Sequence, residues 1–211
     1  MTMNILAIGA HFDDVELGCG ASLKKMHDAG HSIYIYVGTT SGFVSASTRD
    51  TVRMDDTALQ EGQKTARMLG ATLITGNRPT FALNYTPEIN TTITKLVERF
   101  KIDLVFVHWL GDPHHDHWGL AMGTCHGAKH VPRVLAYQSS WYEGPQKFSP
   151  NFYIDVSDYM PFKRELLKTF ESEYRRVGEQ WDIFCESAAR INGLKSGCAY
   201  AEGFQCVRWL L

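Results

Sequence analysis

The feature that most constrains the fold is a short apolar run, residues 4–9, that leads directly into a segment rich in histidine and acid. Residues 10–16 read Ala-His-Phe-Asp-Asp-Val-Glu. An unbroken apolar run of this length is typical of a buried strand in a parallel sheet. Open α/β sheets bind ligands at the carboxyl ends of their strands. The run therefore delivers one imidazole and two adjacent carboxylates to the place where a site is expected.

A second cluster of the same kind follows the apolar run 104–107, where residues 112–117 read Asp-Pro-His-His-Asp-His. Either cluster alone has an ordinary structural explanation, since an acidic pair before a helix is typically an N-cap. Two clusters behind two strands can meet at one end of one sheet. Together they predict a metal site that carries out hydrolysis.

Strands and helices alternate along the rest of the chain. Further strands are predicted over 32–37, 71–75, 103–107, 134–137, 152–156 and 200–207, and helices over 17–29, 53–69, 87–100, 117–129, 159–173 and 179–194, with a Gly/Ser/Thr-rich loop at 38–51. Such alternation predicts an α/β fold with a mostly parallel, doubly wound sheet and helices on both faces. No repeat or linker interrupts it, so we expect one domain over residues 1–211.

Composition excludes several classes of function. The 211 residues are 44% hydrophobic and 21% charged, with a net charge of −2 and no basic run, which argues against nucleic acid or anionic membranes as partners. No apolar run is long enough to span a bilayer, and the amino terminus lacks the basic region of a signal peptide. Five scattered cysteines form no CxxC pair. We expect free thiols and a cytoplasmic location.

Metal chemistry assigns a role to most polar residues of the two clusters. His11, Asp14 and His117 supply two imidazoles and one carboxylate, a ligand set that leaves one position of a catalytic zinc open for water. Asp13 is then free to take the proton of that water. His114, as a cation, is expected to stabilise the oxyanion and protonate the leaving amine, with Asp116 orienting it.

The two clusters resemble the signatures of the LmbE/PIG-L superfamily of zinc-dependent de-N-acetylases. Residues 10–16 resemble its AHPDDVE motif, and residues 114–117 resemble its HPDH motif. Residues 17–20 match the glycine-rich helix start that follows the first motif, and residues 200–204 resemble the AEGF segment near its carboxyl terminus. The similarity covers nearly the whole chain.

The resemblance implies a Rossmann-like fold, often in a homo-oligomer, with one Zn²⁺ per chain held by His11, Asp14 and His117. It implies Asp13 as general base, His114 as the acid on the oxyanion side, and an N-acetylglucosamine-type amino sugar or its conjugate as substrate. His/carboxylate sites also accept other divalent ions.

Three positions depart from the family pattern. Phe12 replaces the proline of the first motif. His115 replaces that of the second motif, which leaves His115 open as an alternative ligand to His117. The family often has an arginine on the helix after the second strand, where this chain has Ala58.

Substrate contacts are therefore expected from other residues. Arg49 and Arg53 lie upstream of that helix, Arg133 precedes a predicted strand, and Trp141 offers an aromatic face to a sugar ring. Two other functions stay open: a metal-dependent hydrolase of an ester or phosphoester, and a sugar-binding protein that holds a structural metal without catalysis.

Overall fold

The computed structural model describes residues 2–210. Its strands are β1 (Asn4–Gly9), β2 (Ser32–Thr39), β3 (Phe43–Val44), β4 (Thr51–Arg53), β5 (Ala71–Arg78), β6 (Leu104–His108), β7 (Arg133–Tyr137), β8 (Phe152–Asp155) and β9 (Ala201–Trp209). Its helices are α1 (Asp14–Asp28), α2 (Asp55–Met68), α3 (Pro87–Phe100), α4 (His115–Gly127), α5 (Met160–Lys168), α6 (Glu171–Val177) and α7 (Gln180–Ser196). Within residues 2–210, no helix has the length and apolar character needed to cross a membrane.

Seven strands form the central sheet in the order β5-β2-β1-β6-β7-β9-β8. The first five pair in parallel, whereas β9 pairs antiparallel with both β7 and β8. Alternate residues of β1 enter opposite cores: Ile5 and Ala7 pack with residues of α1 and α5, while Leu6 and Ile8 pack with residues of α3 and α4. The predicted α/β fold, with helices on both faces of a mostly parallel sheet, is confirmed.

The direction in which successive strands are added to the sheet reverses between β1 and β6. From β1 the chain moves to β2 and β5 on one side, and it returns to β6 on the other side of β1. Neighbouring crossovers then leave in opposite directions, which opens a crevice at the carboxyl ends of these two strands. Both polar clusters follow these strands, so the topology brings them together.

Several predicted boundaries were wrong. The predicted helix 159–173 is a short 3-10 turn followed by α5 and α6, which are separated at Thr169 and Phe170. The predicted loop 38–51 contains β3 and the start of β4, which form a small hairpin. Helices α1 and α4 begin at Asp14 and His115, inside the two polar clusters. The acidic residues of each cluster thus supply the first turn of a helix.

Helix α1 has a kink below the site, and hydrogen bonds from neighbouring elements stabilise it there. Cys19 has non-helical backbone angles, which interrupts the helical hydrogen bonds. The carboxylate of Glu202 accepts hydrogen bonds from the freed amides of Ala21 and Ser22, and buried Lys163 pairs with Glu202 and donates to the carbonyl of Leu17. The family-like segment at 200–204 therefore holds the helix that carries the acidic motif.

Phe12, the departure from the family proline, packs into a space that a glycine on α2 provides. A Cβ at Gly62 would lie 2.1 Å from the Phe12 ring. The amide of Phe12 donates to Ser41 Oγ at 2.8 Å, a hydrogen bond that proline cannot make. The turn that carries the site is thus fixed by one side chain and one amide.

We predict that Gly62→Ala displaces Phe12 and destabilises the protein by roughly 1–3 kcal/mol, because overpacking a filled core forces side chains to shift. Urea unfolding measures the change. Gln63→Ala, at the exposed neighbouring position, is the control and should stay within about 0.5 kcal/mol of the parent. Equal stability of the two variants would contradict this packing.

Candidate metal centre and active site

The turn after β1 places three polar side chains in a small space. Asp13 has a φ of 130°, a strained backbone for a non-glycine residue, and is the last residue before α1. Its side chain makes no capping hydrogen bond to the helix. The Asp14 carboxylate instead accepts the amide of His11 at 2.7 Å. The acidic pair therefore does more than cap a helix.

Donor atoms from the two clusters converge. His11 Nδ1 lies 3.3 Å from Asp14 Oδ2, and His117 Nε2 lies 3.2 Å from His11 Nδ1 and 3.3 Å from Asp14 Oδ1. Other nitrogens are near: His11, His114 and His117 form one group with donor atoms within 4.8 Å of one another, and Asp14, His108 and His117 form a second. These side chains could hold a metal ion with two imidazoles and one carboxylate.

Each of the two central imidazoles contacts a carboxylate through its other nitrogen. His11 Nε2 lies 3.0 Å from Asp116 Oδ2, and His117 Nδ1 lies 3.0 Å from Asp112 Oδ2. Such contacts fix the tautomer and leave the opposite nitrogen free to bind a metal. Asp112 was missed by sequence reasoning, although it lies five residues before His117 in the same cluster. The sequence analysis predicted that Asp116 orients His114, whereas its carboxylate contacts His11.

Asp14 has two further neighbours that the sequence analysis missed. Buried His108 lies with Nε2 3.3 Å from Asp14 Oδ2 and stacks on His117 with ring centroids 4.0 Å apart. Ser139 Oγ donates to Asp14 Oδ1 at 3.0 Å. Burial opposes ionisation of Asp14, but His117 and His108 lower its pKa well below the ordinary value. Both missed residues occur where a strand ends, which is the signal that could have identified them.

Asp13 faces an arginine. Arg53 donates to Asp13 Oδ2 at 3.3 Å and to Glu61 Oε2 at 2.9 Å, and it also donates to the carbonyl of Phe12. Burial raises the pKa of Asp13 well above the ordinary value against the opposing charge of Arg53, and Asp14 raises it further. A carboxylate in this environment binds a proton more readily than one in water, which suits a general base.

His114 differs from the expectation of a cation oriented by Asp116. Its Nδ1 accepts the backbone amide of Asp116 at 3.2 Å, so that nitrogen carries no proton. Burial and the nearby His117 and His11 lower the pKa of His114 to about 4. The Asp116 carboxylate is occupied by His11 and by two backbone amides. His114 is therefore a neutral imidazole with its proton on Nε2.

His115, the alternative ligand, lies apart from these donor atoms. Its Nε2 lies 2.7 Å from the carbonyl oxygen of Phe81, and its side chain is 47% exposed. Neither group of converging donor atoms includes it. The structure therefore favours His117 over His115 as the donor from this cluster.

A cavity of about 390 Å³ opens over the site. Its lining includes the following candidate residues: His11, Asp13, Asp14, Arg53, His114, His117 and Trp141. Arg49 lies outside this lining, in the exposed turn between β3 and β4. Arg133 begins β7 at the opposite end of the sheet, with its guanidinium 5.7 Å from the ring of Trp209. The prediction that Arg133 contacts substrate was wrong, because it was placed from sequence order without the strand direction.

Glu173 and Arg176 of α6 also line the cavity and pair with each other. Sequence reasoning missed them because no motif marks this helix.

Comparison with known proteins identifies the family of this chain. The family model PIG-L, described as GlcNAc-PI de-N-acetylase, matches residues 6–125, more than half of the chain and a span that holds both clusters. The diacetylchitobiose deacetylase of Thermococcus kodakarensis is 28% identical over 96% of this chain and 82% of its own length.

Two solved structures share the fold. The N,N'-diacetylchitobiose deacetylase of Pyrococcus horikoshii superposes with a TM-score of 0.83 at 22% identity, over 97% of this chain and 84% of its own. GalB, a 4-carboxy-2-hydroxymuconate hydratase of Pseudomonas putida KT2440, superposes with a TM-score of 0.81 at 16% identity, over 99% and 98%. The chain belongs to the PIG-L family, which confirms the resemblance read from its two motifs.

Proposed function

We propose that this protein is a zinc-dependent amidohydrolase that removes the acetyl group from an N-acetylated amino sugar or its conjugate, releasing acetate and a free amine. One Zn²⁺ per chain is held by His11, Asp14 and His117. The proposal rests on the convergence of these three side chains in the lining of a cavity, where the carboxylate of Asp13 lies beside Arg53. Family membership and the deacetylase relatives support it.

The donor set fits zinc. Zinc–ligand bonds of roughly 2.0–2.2 Å place tetrahedral ligands roughly 3.3 Å apart. The ring nitrogens of His11 and His117 lie 3.2 Å apart, and each lies 3.3 Å from a different oxygen of the Asp14 carboxylate. Three protein ligands are typical of catalytic sites, whereas structural zinc is normally closed by four. This pattern argues against the sugar-binding protein with a structural metal.

Zinc, when bound, polarises the acetyl carbonyl and lowers the pKa of water. Asp13 accepts the proton of the attacking water, and Arg53 holds that carboxylate toward the cavity. The Nε2–H of His114 donates to the carbonyl oxygen as negative charge develops on it. A neutral His114 has no second proton to give, so Asp13 passes its proton to the leaving nitrogen. This last step differs from the role first expected for His114.

Hydrolysis of another bond is the alternative, because the hydratase GalB shows that this fold also hosts different chemistry. Phosphoester hydrolysis commonly uses two metals, whereas the carboxylates of Asp112 and Asp116 already contact His117 and His11. Amine release from N-acetylglucosamine conjugates, measured on metal-free protein before and after zinc addition, decides the class. Zinc-dependent amine release supports deacetylation, and its absence with every conjugate would contradict it.

We further propose one domain over residues 1–211, of which Met1 and Leu211 lie outside the described residues, and a cytoplasmic location. The five free cysteines support a reducing compartment. Homo-oligomerisation stays a prediction of the family resemblance.

We predict that Asp13→Asn keeps its zinc and loses activity by roughly 10²–10⁴-fold, the usual contribution of a positioned general base. Metal analysis and the amine-release rate measure the two effects. Asp56→Asn, which changes an exposed acid in the first turn of α2, is the control and should keep the parent rate. A near-normal rate for Asp13→Asn would contradict the assignment of Asp13 as the general base.

His117→Ala is expected to lose bound zinc, because one of three ligands is removed. His115→Ala should retain it, since that imidazole contacts the Phe81 carbonyl instead. Metal-to-protein ratios after dialysis check both variants. Full occupancy in His117→Ala together with loss in His115→Ala would reverse the ligand assignment.

Zinc affinity should rise with pH. Burial opposes protonation of His11, but hydrogen bonds to Asp116 and Asp14 raise its pKa to about 10. His11 of the metal-free protein is thus protonated at neutral pH, and zinc must displace that proton. We predict an affinity gain of about tenfold per pH unit for each displaced proton below that pKa. Chelator competition at several pH values measures it, and a flat profile would contradict the protonated state.

A further inference from the structure

Phe81, at the mouth of the cavity, has a conformation that a bulky residue rarely adopts. Its φ is 65°, in the left-handed region, and its side chain is 55% exposed. A bulky residue in this region is strained, and such strain persists only where the surroundings hold it, commonly at functional sites. The ring lies near the rings of Phe43, His114 and His115, yet more than half of the residue stays exposed. Part of the ring is therefore available to a ligand at the mouth of the cavity.

Two residues of α4 hold the Phe81 backbone. Its amide donates to Asp116 Oδ2 at 2.7 Å, and its carbonyl lies 2.7 Å from His115 Nε2. The Phe81 ring lies nearly parallel to that of His114, with centroids 5.6 Å apart and an interplanar angle of 27°. His115 is the residue that replaces the family proline. Its side chain therefore has a structural role, because it helps to fix the Phe81 ring beside the imidazole of His114.

Two residues that line the cavity carry hydroxyl groups without partners. Thr80 Oγ1 and Ser140 Oγ are buried, have no hydrogen-bond partner among the described residues, and belong to residues that line the cavity. Buried hydroxyl groups normally find partners. A ligand with hydroxyl groups of its own would supply them.

The two arginines that line the cavity pair with carboxylates. Arg53 donates to Asp13 and Glu61, and Arg176 pairs with Glu173. The charge of each lining guanidinium group is thus balanced by carboxylates, although the buried Arg53 Nε has no partner among the described residues, and this balance disfavours an anionic group of the substrate. An aromatic face with neutral hydroxyls is the usual recognition chemistry of a neutral sugar ring.

We infer that Phe81, with Thr80 and Ser140, forms the subsite for the sugar ring that bears the acetamido group, that the subsite selects neutral saccharides over anionic conjugates, and that His115 is a positioning residue for it. The inference rests on the proposed function for the identity of the ligand. Phe81 stacks on the ring face, and the two hydroxyls bond to ring substituents.

The test measures binding and turnover separately. Binding of N,N'-diacetylchitobiose to metal-free protein is followed by tryptophan emission, since Trp141 and Trp181 line the cavity. Phe81→Asn keeps a residue that tolerates the left-handed backbone and removes the ring, whereas Phe81→Tyr keeps the ring. We expect Phe81→Asn to raise Kd and KM by roughly three- to tenfold, with kcat nearly unchanged, and Phe81→Tyr to resemble the parent.

Two further variants separate stacking from a general loop effect. His115→Pro places proline at the first position of α4, where it is tolerated, and removes the contact to Phe81. It should raise KM less than Phe81→Asn does. Tyr85→Asn changes a 43% exposed aromatic that follows on the same loop and does not line the cavity, and it should have no effect.

Unchanged Kd and KM in Phe81→Asn would overturn the subsite, as would equal losses in Phe81→Tyr. Tighter binding of N-acetylglucosamine 1-phosphate than of diacetylchitobiose by the parent would overturn the neutral preference. Sugar binding through Phe81 without zinc-dependent hydrolysis would contradict the proposed function and leave the subsite standing. Zinc-dependent hydrolysis with the same Kd and KM in Phe81→Asn as in the parent would support the proposed function and contradict the subsite.

Discussion

The parallel pairing of β1 with β6 is the constraint on which the rest of this structure depends. Ala7 lies opposite Phe106 in that pair, so the two strands end at the same edge of the sheet. The polar cluster that follows each strand then lies in the crevice where the strand order of the sheet reverses. His11 and His117 are 106 positions apart in sequence, yet their ring nitrogens lie 3.2 Å apart. A shift of one residue in the register of β1 and β6 would move the two clusters apart by about 3.3 Å, and their donor atoms would no longer converge.

Bringing so many ionisable groups into a buried crevice has a free-energy cost, since burial disfavours charge. Pairing each of these groups with a partner offsets that free-energy cost. Asp116 faces His11, Asp112 faces His117, and Arg53 faces Asp13. The same pairings prepare the chemistry, because they fix which nitrogen of each imidazole is free and hold the base in place. Stability and reactivity here rest on one hydrogen-bond network.

The α/β fold and the central residues of the site could be predicted because buried strands and short polar motifs are local signals. Long-range partners could not. His108 and Ser139 look ordinary in sequence and matter only because β6 and β7 end beside Asp14. Arg133 looked suitable until the strand direction placed it at the far end of the sheet. Asp116 was assigned to its neighbour in sequence, whereas its carboxylate reaches His11 across the crevice.

The proposed zinc site can be tested by identifying the ligands of the bound metal. X-ray absorption at the zinc edge of the reconstituted protein reports the number and type of ligands. We expect two imidazole nitrogens and oxygen ligands from one carboxylate and water, at about 2.0–2.2 Å. Three or more imidazole ligands would instead place His114 or His108 on the metal and contradict the assignment of His11, Asp14 and His117.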